Sequence, residues 1–152
     1  MMFKTHLLFA LLISLLIFNY FNLNQILFIL ILIISAIIPD IDHSRSWIGR
    51  KFKPLSLIVN FIFGHRKLIH SLFFVILISF LIKIFSNNYY IPFFIGYLSH
   101  LFLDSLTKQG IMLFYPFKFR VKGFLQTNGI VEKVFLVILA VINIIYIINL
   151  LK

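Results

Sequence analysis

The chain has 152 residues, 62% of them hydrophobic and 12% charged, with a formal net charge of +10 at pH 7. Its mean hydropathy of +1.08 excludes an ordinary soluble domain, in which about 25% of residues are charged, and predicts one integral membrane domain over residues 1–152. The absence of cysteine excludes disulfides and thiolate metal sites.

Five apolar segments are predicted to form an all-α, polytopic transmembrane bundle. The first is Leu7–Phe21, opened by His6. It resembles a signal peptide in length. Lys4 alone as a basic flank and no small-residue cleavage site predict that it is retained. The second is Leu23–Ile38. Both are short for a span of about 20 residues, so a re-entrant hairpin turning at Asn22-Leu23-Asn24 is the alternative to two spans. Polar helix ends favour two spans.

Pro39-Asp40-Ile41-Asp42-His43 closes the second segment. Pro39 disfavours helix at Ile38. If the stretch is extended, Asp40 and Asp42 point the same way and can flank cations. The alternative is capping of a following helix by Asp40, Asp42 or Ser44. A calcium loop is excluded, because Arg45 stands where the turn glycine belongs and Lys51 where the bidentate glutamate belongs.

The third segment, Leu68–Phe85, is preceded by Gly64-His65-Arg66-Lys67 and contains His70. His65 and His70, five apart, do not share one face of a regular helix. Arg66 has the planar fork that suits phosphate oxygens, and an inner-face anchor is its plainer reading. The fourth segment, Ile91–Leu106, carries His100 and Asp104. Their i,i+4 spacing places both on one helical face, where nitrogen and oxygen can share an ion. A His–Asp hydrogen bond locking the helix is the competing reading.

Residues Lys108–Gly129 read as an irregular loop, with the aromatic-basic run Phe114-Tyr115-Pro116-Phe117-Lys118-Phe119-Arg120 lying on the membrane interface. The fifth segment, Val134–Leu151, follows Glu132, which reads as a ligand, a general base or a helix cap.

Basic residues fix the expected orientation. Arg45, Arg50, Lys51, Lys53, Arg66 and Lys67 lie between segments two and three, and Lys108, Lys118, Arg120, Lys122 and Lys133 between four and five. The positive-inside rule places both stretches and the N-terminus in the cytoplasm. On that threading His6, Asp40, Asp42, His43, His65, His70, His100, Asp104 and Glu132 fall at one face; they are all the histidines and acids of the chain. Ionisable groups beside hydrocarbon are costly and mark function. His, Asp and Glu without Cys form the ligand set of a hydrolytic metal site. Nine groups exceed the three protein ligands of a single catalytic zinc, so two or three ions are expected. No nucleophile elbow is present, and Ser71, Ser99 and Ser105 are expected to serve packing or support.

The chain resembles the YdjM-like bacterial inner-membrane proteins, predicted metal-dependent hydrolases of the LexA-regulated type. The matching pieces are His6-Leu7-Leu8-Phe9, Pro39 to His43, Gly64-His65-Arg66 with His70-Ser71, Gly96-Tyr97-Leu98-Ser99-His100 with Asp104, Leu106-Thr107 with Gly110, and Gly129 with Glu132. Lys67 and Ile69 depart from the Gly and Thr often found there in the family. The resemblance extends distantly to zinc-dependent phospholipase C and single-strand nucleases, and by that analogy implies phosphoester hydrolysis.

The combined expectation is a membrane hydrolase with a cytoplasm-facing multinuclear site. Its metal ligands are His6, Asp40, Asp42, His43, His65, His70, His100 and Asp104; Glu132, Arg66 and Asp42 carry catalytic roles. A divalent metal, zinc first, is the expected cofactor. Membrane lipid and an anionic phosphate-containing substrate are the expected partners, and nucleic acid is not. The expected location is the inner membrane. Two rivals are a divalent-cation transporter, which needs ionisable groups near mid-membrane, and a scaffold or stress-response adaptor whose basic loops bind lipid or DNA.

Overall fold

The computed structural model describes residues 1–64, 66–86 and 88–152. Among these the protein is all-helical, with α1 (Phe3–Ile17), α2 (Gln25–Ser35), α3 (Trp47–Lys51), α4 (Lys53–Phe63), α5 (Leu72–Phe85), α6 (Tyr90–Ser105) and α7 (Ile130–Leu150). Short 3-10 turns, Phe18–Tyr20 and Ile38–Asp42, follow α1 and α2. Three helical stretches are long and apolar enough to cross a membrane: Phe3–Tyr20, Gln25–Asp42 and Ile130–Leu150. α5 and α6 are shorter.

Local chemistry sets the helix ends. Asn24 accepts from Leu27 N at 3.1 Å, and Ser71 accepts from Phe74 N at 3.2 Å. Both satisfy donors that a helix start leaves orphaned. α4 ends at Gly64, whose φ of 67° favours glycine. Pro39 ends the regular geometry of α2, as expected, but the chain continues as a 3-10 turn through Asp42. The stretch after it holds α3 and α4. Ser46, rather than Asp40, Asp42 or Ser44, caps α3 by accepting from Gly49 N at 2.9 Å.

α6 is the hub. It packs against α1, α2 and α5, while α7 packs on α1. Gly96 sets the closest approach. A Cβ there would stand 2.1 Å from both Leu32 O and Ser35 Oγ of α2. Apolar side chains gain little by leaving lipid for protein, so small residues that let backbones meet decide which helices pack. Two apolar clusters flank the hub. Ala10, Phe18, Phe28, Leu32 and Ala36 join α1 to α2, and Val75, Phe93, Tyr97 and Leu101 join α5 to α6.

Residues 107–129 are held by two isolated bridges, Thr107 with Leu125 and Ile111 with Val121. Gly110 turns between them at φ 62°. Phe114, Phe117, Phe119 and Phe124 remain exposed beside the basic side chains, in keeping with an interfacial loop.

Candidate metal centre

Four segments deliver the site. His100 and Asp104 stand one turn apart at the end of α6, both fully buried. His70 lies in the turn just before α5 rather than inside it. His6 belongs to the first turns of α1, which begins at Phe3, ahead of the predicted segment. Asp40 and Asp42 come from the 3-10 turn after α2.

The close α2–α6 contact at Gly96 has a direct consequence one turn along α6. His100 Nδ1 donates to Ala36 O at 2.8 Å. That bond fixes the ring, and in a neutral imidazole it leaves the lone pair on Nε2. His70 Nδ1 lies 3.2 Å from Asp42 Oδ2. The two Nε2 atoms then meet at 3.2 Å. Asp104 Oδ2 lies 3.6 Å from His70 Nε2 and 3.7 Å from His100 Nε2, and Asp40 Oδ1 lies 3.9 Å from His100 Nε2. Ligand atoms bound about 2.0–2.1 Å from a tetrahedral ion stand roughly 3.3 Å from one another. The His70, His100 and Asp104 donors come within about 0.4 Å of that spacing, and Asp40 stands farther off.

A second group shares His100 and includes His6 and Asp104; within each group the donor atoms lie within 4.8 Å of one another. The His6 ring stacks on His100 at 3.9 Å, and its Nε2 is 3.3 Å from Asp104 Oδ1. His6 is 1% exposed, yet neither of its ring nitrogens has a hydrogen-bond partner among the described residues. Buried polar atoms in that condition call for an ion or another bound group. The donor set therefore fits a divalent metal, with the two oxygens of Asp104 facing the two groups.

Asp40 and Asp42 do not point the same way, as an extended strand would have required. In the 3-10 turn Asp40 faces His100, while Asp42 orients His70 from behind and accepts from Arg66 N at 2.8 Å. A carboxylate on the far nitrogen of a ligand histidine fixes its tautomer and raises its basicity. Asp42 thus stands behind the cluster rather than in it.

Arg66 is buried at φ 57°. Its backbone is held on both sides, by Asp42 and by Met112 N donating to Arg66 O at 3.2 Å. Nη2 is 2.9 Å from Asp104 Oδ2, Nη1 donates at 3.4 Å to Thr107 Oγ1 and Gly110 O, and Nε has no partner among the described residues. The Met1 nitrogen also meets Asp104 Oδ1.

Glu132 is buried but belongs to neither donor group found among the described residues. Its Oε1 accepts from Met2 N at 2.6 Å and Thr5 Oγ1 at 3.1 Å, and its Oε2 accepts from Asn128 N at 2.6 Å. These bonds tie the start of α1 to the start of α7, the pattern of a clamp rather than of a base poised over the donors. His43 is half-buried and likewise in neither group. His65, also expected as a ligand, lies outside the described residues. Ser99 and Ser105 donate to carbonyls of their own helix, and Ser71 caps α5, so all three serve packing as expected.

Three supporting residues were not foreseen as such. Asn60 Nδ2 donates to Asp42 O at 2.8 Å, Tyr97 Oη donates to Ile69 O at 2.8 Å beside His70, and Thr107 Oγ1 donates to Asp104 O at 2.7 Å. Tyr97 and Thr107 sit three residues from His100 and Asp104, a helical-face signal that could have flagged them. Asn60 offers no such signal.

The family described as YdjM inner membrane protein matches residues 1–151. The chain belongs to this family. YvsG of Bacillus subtilis (strain 168) is 39% identical over 105 residues, 68% of this chain and 66% of the relative. Inner membrane protein YdjM of Escherichia coli (strain K12) is 36% identical over 96 residues, 58% of this chain and 48% of the relative, and that of Shigella flexneri aligns identically. In each case the alignment spans less than two-thirds of the relative's own length. No solved structure matches. Family membership and the apolar helices make this a membrane protein.

Proposed function

We propose that this YdjM-family member is a metal-dependent hydrolase of the inner membrane, acting on phosphoesters such as phospholipid head groups. The observation that carries the reading is the pair His70 and His100. His100 Nδ1 is committed to Ala36 O, His70 Nδ1 stands 3.2 Å from Asp42 Oδ2, and their Nε2 atoms face one another at 3.2 Å beside Asp104 and Asp40. Two lone pairs so opposed are stabilised by a cation between them. Nitrogen and oxygen donors at tetrahedral spacing favour zinc, and the two faces of Asp104 support more than one ion.

The chemistry a bound ion supplies is acidification of water and polarisation of a phosphoryl oxygen. The chain's own groups complete the site. The Arg66 guanidinium, with Nε uncommitted among the described residues, offers a donor for a phosphoryl oxygen. Asp42 holds His70 in register. Glu132 holds His6 in place through the start of α1. Lys108, Lys118, Arg120 and Lys122 supply a basic rim that attracts anionic lipid.

In membrane terms we read five spans: α1, α2, α5, α6 and α7. The basic stretches place the N-terminus and the site in the cytoplasm. The donors lie at helix ends, which favours an interfacial site over a transport pathway.

Protein purified without chelator should carry zinc or another divalent metal, and His100→Ala should lose it. Metal-loaded protein should cleave an anionic phospholipid or an artificial phosphoester with chelator-sensitive turnover. Arg66→Ala should lower turnover with metal content kept. Acidification should release metal, because the imidazoles must be neutral to bind. Metal-free protein would defeat the metal site, and a metal-loaded protein inert across a broad phosphoester screen would defeat the reaction. Single cysteines at Ser46 and Asn88 test orientation: an impermeant thiol reagent on intact cells should label 88 and spare 46.

A further inference from the structure

The α3–α4 segment has a surface that neither the metal centre nor the bundle uses. α4 has 11 residues, about 16 Å of helix, roughly half the hydrocarbon thickness of a bilayer. It cannot be a span. It lies in the chain between the ends of α2 and α5, and packs against the Ile38–Asp42 turn and α3. One stripe faces inward: Ser56 is buried, Val59 and Phe63 join the α5–α6 core, and Asn60 donates to Asp42 O. The opposite stripe is apolar and open. Leu57, Ile58 and Ile62 are more than half exposed, and Phe61 is 92% exposed.

Exposed charge flanks this surface and is all basic, with Lys67 past its far end and four cations at its start. Arg45, Arg50, Lys51 and Lys53 are all exposed there, together with Trp47, over whose ring Lys51 Nζ sits at 5.3 Å. No acid accompanies them: Asp40 and Asp42 are turned into the metal centre. An apolar stripe with a basic, Trp-bearing edge complements the two layers of an anionic lipid surface, hydrocarbon below and phosphate above. A second copy of the chain would bring the same cations together and repel.

We propose that α3–α4 is an in-plane anchor. The stripe Leu57, Ile58, Phe61 and Ile62 lies in the acyl boundary of an anionic leaflet, and Arg45, Arg50, Lys51 and Lys53 hold its phosphates. The anchor carries Asn60, and Asn60 holds the Asp42 main chain, so lipid engagement braces the carboxylate that orients His70. The anchoring does not depend on the hydrolase reading.

The test uses the full-length, cysteine-free chain with single cysteines Phe61→Cys, Ile62→Cys and Asn88→Cys, each spin-labelled. The proteins are reconstituted in vesicles of phosphatidylglycerol and phosphatidylethanolamine. Collision with oxygen should exceed collision with a water-soluble nickel chelate at 61 and 62, and the order should reverse at 88. In phosphatidylcholine vesicles, or with Lys51→Glu and Lys53→Glu together, labels 61 and 62 should shift toward the nickel-accessible state. Nickel access at 61 and 62 equal to that at 88 overturns the anchor. Spin–spin broadening between copies at 61 overturns it in favour of a protein partner. Depth unchanged without anionic lipid overturns the role of the cations.

Discussion

α6 and α7 show how little hydropathy says about burial in a membrane protein. α7 is the longer and more apolar helix, with 21 residues against 16. Yet it buries only Glu132, Leu139 and Asn143, and most of its isoleucines and valines face outward. α6 buries Pro92, Phe93, Gly96, Tyr97, Ser99, His100, Leu101, Leu103 and Asp104. Lipid is as good a neighbour for isoleucine as protein is, so nothing drives α7 inward. Glycine, serine and ionisable groups do drive α6 inward, by close backbone contact and by the cost of leaving polar atoms in hydrocarbon.

Five substitutions test that contrast and the site it builds. Glu132→Ala should have the largest effect, because this carboxylate ties the start of α7 to the start of α1 and its loss strands Met2 N, Thr5 Oγ1 and Asn128 N. A cost of at least about 1–3 kcal/mol is expected, the figure for one buried donor such as Thr5 Oγ1, with the part-buried Met2 and Asn128 donors adding to it, read as a lowered unfolding midpoint in detergent. A near-neutral result would mean that α7 does not hold α1. Gly96→Leu comes next. Its side chain would run into Leu32 O and Ser35 Oγ, with an overpacking cost of about 1–3 kcal/mol. Val141→Leu on the open face of α7 should stay within about 0.5 kcal/mol. Equal stabilities would break the comparison.

Asp42→Asn should leave the fold and weaken metal binding by about 10- to 100-fold, the usual effect of losing a group behind a ligand histidine. Competition titration with a zinc chelator reads it. Unchanged affinity would remove Asp42 from its supporting role. A small effect, though above that of Val141→Leu, is expected for Asn143→Leu. Asn143 Nδ2 donates to Leu8 O at 3.1 Å across the α1–α7 contact, and interhelical bonds of this kind average about 0.6 kcal/mol. A large loss there would show that α7 depends on polar contacts after all.

Much of the protein could be read from residue types. The apolar segments marked the long helices because a chain in lipid must satisfy its backbone within each segment. His100 and Asp104 were legible as a pair because helical spacing alone puts them on one face. The pairing of Asp40 with Asp42 was misread for a local reason: Pro39 led to a 3-10 turn, not a strand, and the two carboxylates diverge. α4 went unread because its run of 11 residues is too short for a span and is flanked by basic residues.

The sequence by itself determined that this is a membrane protein, that its few ionisable groups sit at segment ends, and that they are chemically fit to hold a divalent ion. Those conclusions need only side-chain chemistry and spacing along one helix. Tertiary structure decided which groups meet. Gly96 lets α2 approach α6 so that Ala36 can set His100, Asp42 sets His70 from another segment, and Glu132 is drawn off to clamp two helix starts. Those choices depend on contacts between segments far apart in the chain, where a shift of about one ångström moves a donor out of hydrogen-bond range.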